Sequence, residues 1–140
     1  GLGDVYKRQV HAGLVAYQGT KMSKSLGNLV FVSDLRKEID PRAIRLALMA
    51  HHYRSGFEWF DDEGPRAQKD LELLVRSAGG AEPVKVGPLI DQVRNALDDD
   101  LDTPRVHQLL LNEAQAIEGG ATSASPGCLV ASASLCGIEL

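Results

Sequence analysis

The chain has 140 residues, 44% of them hydrophobic, and a formal net charge of −4. That is one domain's worth of length, with enough apolar residues for a modest core. Nine Lys/Arg face five acids over residues 1–60, a net of +4, whereas six face fourteen over 61–140, a net of −8; the acidic half is a poor nucleic-acid surface, because phosphate contacts supply most of that affinity. Cys128 and Cys136 stand eight apart and make neither a zinc set nor a disulfide framework, so a reducing compartment is the default. No stretch is apolar for long enough to span a bilayer and no secretory pattern opens the chain, which gives the expectation of a cytoplasmic protein without membrane contact.

Residues 1–9 are short, polar and aperiodic, and read as a ragged or non-native start. Val10 to Tyr17 reads as a strand and Gln18-Gly19-Thr20 as its turn. His11 is a lone histidine in that strand and is given no role. The next stretch is Lys21-Met22-Ser23-Lys24-Ser25, followed by Leu26-Gly27-Asn28. Lysines supply mobile point charges, serines supply hydroxyl donors, and flanking glycines let backbone approach a ligand closely. The spacing is not that of a Walker-type loop. On these residues alone, a solvated charged hairpin tip and a polyphosphate loop are both open.

Leu29 to Val32 is a β-prone run, with Ser33-Asp34 as a cap for a brief helix from Leu35 to Glu38. Asp40-Pro41 is a stronger helix start, and Ala43, Ile44, Ala47 and Leu48 recur at helical spacing, so a helix is expected from Pro41 to about His52, with Arg42 and Arg45 on its other side. His51 and His52 do not point the same way on a helix and lack a closing ligand, which argues for a polar junction over a metal site. Trp59 is expected to anchor the following loop by burying its ring. Amphipathic helices are expected at Pro65 to Ser77, carrying Leu71, Leu73 and Leu74, and at Pro88 to Leu97, with the Gly79–Pro83 stretch as a linker between them. The aspartates at 98, 99, 100 and 102 lack the calcium-loop frame and read as a helix-ending turn, with Asp102 or Thr103 capping a helix from Arg105 to Ile117. A last apolar helix is expected from Cys128 to Cys136, ended near Gly137, with the cysteines as small core residues.

The run KMSKSLGN, Lys21 through Asn28, resembles the signature loop of class I aminoacyl-tRNA synthetases and their relatives. The resemblance implies that Lys21, Met22, Ser23, Lys24 and Ser25 close over ATP. Lys24 is then the main stabiliser of the departing pyrophosphate, and Lys21 supports the loop and the phosphates. The main chain of Val15, by its offset before Lys21, would meet the adenine ring. Attack of a carboxylate on the α-phosphorus builds negative charge on the leaving oxygens, and fixed ammonium groups there lower the barrier.

The likeness runs on through GLVAYQGTKMSKSLGNLVFVS, DPRAIRLALMAHHYRS and ALDDDLDTP, which are similar to the C-terminal third of two cysteine-activating branches of that family. One branch charges tRNA; the other joins cysteine to the amine of glucosaminyl-inositol in mycothiol biosynthesis. The acidic second half, the stop at Leu140, NLVFVS and the closing LCGIEL favour the second branch, provided that Leu140 is a natural end. The implied fold is an α/β edge, the C-terminal end of a class I Rossmann-type nucleotide-binding domain over residues 10–60, followed by an α-helical bundle over 61–140, mostly α in all. The implied protein is an AMP-forming, ATP-dependent cysteine ligase, of which this stretch alone would be inactive. Its partners would be the small molecules cysteine, ATP and glucosaminyl-inositol, with no nucleic acid, and it would be a monomer. A Zn²⁺ ion selecting the thiol is expected to be held upstream, with no metal ligand in this sequence. A tRNA-acylating enzyme and a non-catalytic helical interaction module are the alternatives.

Overall fold

The computed structural model describes residues 9–140, so the expected ragged start lies outside the described residues except for Gln9. A three-stranded sheet, in the order β2-β1-β3, is followed by a layer of helices. Strand β1 (Val15–Tyr17) turns into β2 (Thr20–Lys21), and the pair is antiparallel, with Ala16 opposite Lys21 and Tyr17 opposite Thr20. The turn is Gln18-Gly19, with φ of 54° and 77°. Two successive left-handed residues give the hairpin twist that matches the strands, and glycine takes the second place without steric cost. Thr20 is therefore a strand residue and not part of the turn.

The expected strand from Val10 is cut to its last three residues. Upstream, the Gly13 amide donates to the Tyr53 carbonyl (2.6 Å) instead of to a strand partner. Strand β3 (Phe57–Trp59) has no counterpart in the sequence-based expectation. It runs parallel to β1, pairing Val15 with Phe57 and Tyr17 with Trp59. Such pairing is made across the intervening helices, and three residues are too few for an alternation to register. Trp59 is 5% exposed and joins the main core, so its ring is buried as expected, but from within a strand.

Leu29 to Phe31 forms no strand. The brief helix comes earlier than expected, as α1 (Val32–Leu35), with Phe31 at its N-cap position and no side-chain cap; Asp34 lies inside it, paired with Lys37. Helix α2 (Pro41–Met49) starts where expected. Asp40 accepts from the Arg42 amide (2.8 Å) and also binds the Arg42 guanidinium, which holds its carboxyl below the usual range. The helix ends three residues early. Its buried face is Ala43, Ile44, Leu46, Ala47 and Met49, whereas Leu48 is 46% exposed.

Four further helices complete the fold of the described residues: α3 (Glu63–Ala78), α4 (Pro88–Asp98), α5 (Thr103–Glu118) and α6 (Pro126–Ser134). Asp102 caps α5 by accepting from the Arg105 amide (3.1 Å), as the acidic turn suggested. Helix α6 begins two residues before Cys128 and ends two before Cys136, with Ser125 capping it. Both cysteines are buried and free, and burial pushes the Cys136 thiol up against the opposing pull of Arg45. Helix α2 packs on α3, α3 on α5, and α4 on α5 and α6. One apolar cluster runs through them, from Leu46 and Trp59 to Leu71, Leu74, Val93, Leu110, Leu129 and Ile138. It crosses residue 60 without a break. The Gly79–Pro83 stretch is held in as well, because the following Val84 amide donates to the Gly127 carbonyl (2.9 Å).

Candidate functional site

The hairpin carries Lys21 at the end of β2, and the chain then turns back through Lys24–Gly27. Lys21, Lys24 and Ser25 are exposed; Met22 and Ser23 are half-buried. Among the described residues, neither lysine's ammonium group is paired with a carboxylate within 4.0 Å or hydrogen-bonded. The two ammonium groups therefore stand in solvent on a short loop, which is the arrangement a mobile anion requires.

Met22 packs against the core and lines an apolar cavity of about 180 Å³ with Val15, Val30, Leu35, Phe57 and Trp59, which pins the loop to the sheet. Val15 lies half-buried in β1, and its carbonyl accepts from the Met22 amide at 3.4 Å. Ser23 and Ser25 share a hydroxyl contact of 3.2 Å, and the Ser23 hydroxyl also accepts from the Leu26 amide.

Asn28 was not singled out from sequence, yet it fixes the loop's shape. Its side-chain oxygen accepts from the Ser23 amide (2.9 Å), and its side-chain nitrogen donates to the carbonyls of Lys21 (3.2 Å) and Tyr17 (3.5 Å). An amide carries both donors and an acceptor, so one side chain closes both arms of the loop. Its place directly after Gly27 was the available signal. Glu58 is a second such residue: its carboxylate accepts from the Gly19 amide (2.5 Å) at the hairpin tip. No signal pointed to it, because β3 itself was not read from sequence.

The electrostatics of the two flanks differ. The cleft beside Tyr17, of about 290 Å³, carries Asp34, Glu38 and Asp61 and is unsuited to a polyphosphate. The Tyr17 hydroxyl donates to Asp61 there (2.8 Å), and this bond raises the phenol's pKa. Lys21 and Lys24 do not line that cleft.

The histidines take structural partners. His51 stacks on Phe57 with centroids 3.9 Å apart and meets Glu63 at 3.1 Å; His52 faces Asp100 at 3.9 Å. No cluster of three or more His, Cys, Asp or Glu among the described residues is arranged to hold a metal ion. These residues do not fit a zinc ion.

Sheet, loop and helices are similar to parts of class I tRNA synthetases in sequence and in fold. Residues 3–69 match the family model described as the tRNA synthetases class I (C) catalytic domain. The fold is also similar to that of a solved structure titled as the ternary complex of Agrobacterium radiobacter K84 agnB2 LeuRS with tRNA and LeuAMS. The TM-score is 0.66 at 20% identity, over 89% of this chain and 19% of that one. The chain is also similar to proteins named L-cysteine:1D-myo-inositol 2-amino-2-deoxy-alpha-D-glucopyranoside ligase. Identity is 48% with that of Thermobispora bispora, over 84% of this chain and 29% of the relative. It is 44% with that of Streptosporangium roseum, over 96% and 34%, and 52% with that of Sanguibacter keddieii, over 75% and 26%. The chain thus spans about a third of the length of the curated relatives it matches.

Proposed function

We propose that this chain is part of an ATP-dependent, AMP-forming ligase that activates cysteine and transfers it to the amine of glucosaminyl-inositol. The observation that carries this is 44–52% identity, along most of the chain, to proteins named for that ligation. The exposed, carboxylate-free Lys21 and Lys24 support it. Residues 10–60 would be the C-terminal edge of a Rossmann-type nucleotide domain, and residues 61–140 a helical bundle packed against it.

In the first step the cysteine carboxylate attacks the α-phosphorus of ATP; the bond to the bridging oxygen breaks, and pyrophosphate leaves. Lys24 neutralises the charge that grows on the leaving oxygens, and Lys21 holds the loop and phosphates. Ser23 and Ser25 offer hydroxyl donors, and the Val15 main chain would meet the adenine ring. Met22 contributes as the anchor that returns the loop to one position. In the second step the sugar amine attacks the acyl carbon of cysteinyl-adenylate, AMP departs, and an amide remains. The lysines act in the first step only.

The test is Lys24→Ala in the full-length protein. ATP–pyrophosphate exchange with cysteine should fall roughly 100-fold or more, the loss typical of one transition-state charge contact. Unchanged exchange overturns the role of the loop. Offering glucosaminyl-inositol and tRNA to the wild-type protein in parallel tests the acceptor; acylation of tRNA alone overturns the choice of ligase.

A further inference from the structure

Asp100 lies in the turn between α4 and α5, far in sequence from the phosphate loop, and gathers three side chains from the segment after α2. The Tyr53 hydroxyl donates to its Oδ1 (2.6 Å), Arg54 Nε donates to its Oδ2 (2.6 Å), and His52 Nε2 stands 3.9 Å away. Arg54 and Tyr53 together hold the Asp100 carboxyl below its usual range. Asp100 and Leu101 both have left-handed backbone, with φ of 53° and 55°. An aspartate tolerates that conformation better than most residues, so the turn aims the carboxylate outward at the junction.

The segment that Asp100 holds is the one on which β1 is built. The Tyr53 carbonyl receives the Gly13 amide at 2.6 Å. Gly13 is packed so tightly on the Ser55–Gly56 backbone that a Cβ there would overlap it. The Phe57 amide then donates to the Leu14 carbonyl (3.1 Å), and the β1–β3 register begins. Glu58, one residue on, grips the hairpin tip through Gly19. A continuous set of contacts thus runs from the bundle to the hairpin that carries Lys21, made of hydrogen bonds and the close packing of Gly13.

We propose that Asp100 is a positioning residue for the Lys21/Lys24 loop: it latches the bundle to Tyr53 and Arg54 and so fixes the strand from which the loop projects. The catalytic half of this proposal rests on the function given above; the structural half does not.

The test has two arms. In the present chain, amide hydrogen exchange is followed by NMR in Asp100→Asn and Tyr53→Phe. Asparagine keeps the left-handed turn and an acceptor but loses the charge; phenylalanine loses only the hydroxyl. Exchange at Gly13 and Phe57 should quicken roughly 3- to 10-fold in each, the scale of one lost charge-assisted bond, with Leu71 and Leu74 in α3 unmoved. Unchanged protection at Gly13 and Phe57 in both variants overturns the proposal. In the full-length protein, Asp100→Asn should lower the kcat of ATP–pyrophosphate exchange roughly 3- to 10-fold with the KM for cysteine unchanged, and Asp100→Glu should recover part of it. Loosened amides with normal exchange, beside an inactive Lys24→Ala, overturn the positioning role while leaving the loop's function standing. Normal exchange in Lys24→Ala points instead to failure of the functional proposal.

Discussion

Lys21 and Lys24 stand out as residues because no carboxylate pairs with them among the described residues, while Met22, Ser23, Ser25 and Asn28 around them are engaged. Met22 lines the apolar cavity, Ser23 and Ser25 contact each other, and Asn28 bonds to three backbone atoms. A loop whose anchors are apolar and amide leaves its cations free for a ligand. Asn28→Ala removes three bonds at once and should free the loop. Limited trypsin digestion should then cut after Lys24 roughly 3- to 10-fold faster than in the parent, the net scale expected for losing these partly exposed hydrogen bonds. An unchanged cutting rate would show that Met22 alone holds the loop. Residue types alone left a solvated hairpin tip and a polyphosphate loop both open; the likeness of KMSKSLGN to a known signature loop is what singled out the two lysines. Residue types could not reveal Met22 as an anchor, because a methionine in a polar loop gives no sign of which cavity it lines.

At the scale of elements, the starts were easier to read than the ends. Asp40-Pro41 and Asp102-Thr103-Pro104 each place an acceptor before a proline, and each begins a helix with the aspartate side chain on a free amide. These are local events, fixed within four residues. Asp40→Ala should cost about 1 kcal/mol of stability, seen as a lower urea midpoint with an unchanged slope. The Arg42 pairing is half-exposed and adds little to that figure. The end of α2 depended on distant chain instead. Helical spacing let it run to His52, but Ala50 caps it, and His51 is held by Phe57, Glu63 and the Thr103 hydroxyl. The arginines of α2 are turned to the other end of the molecule: Arg42 donates to the Glu139 carbonyl (2.6 Å), and Arg45 to that of Cys136. They satisfy carbonyls left over past the end of α6, a role that follows from packing and not from the periodicity of α2.

At the scale of the molecule, one core joins the sheet to the bundle, so the stability of the loop's platform is bound up with that of the helices. His107 of α5 lies near that joint. Burial lowers its pKa; the facing Asp70 carboxylate opposes the shift, and His51 adds to it. A histidine whose folded pKa is depressed binds a proton more readily when unfolded. Its contribution is present above about pH 6.5 and is lost as the pH falls through the folded value. Stability should therefore decline below about pH 6.5, and His107→Gln should flatten that slope in a series of urea melts. A slope unaltered by the substitution would assign the acid sensitivity elsewhere. No helix among the described residues is long and apolar enough to cross a membrane.

The sequence by itself determined whatever is local or chemical: the Lys21–Ser25 loop, the two Asp-Pro-type helix starts, the amphipathic faces of α3 to α5, and the likeness to cysteine-activating ligases. Tertiary structure alone decided the short parallel strand β3, the course of Leu29 to Leu35, the grip of Asn28 and Glu58 on the hairpin, and the meeting of Asp100 with Tyr53 and Arg54. The physical reason is distance along the chain. A cap or a helical stripe is specified by neighbours a few residues away, whereas a three-residue strand or a carboxylate at a junction acquires its meaning from residues about forty positions removed.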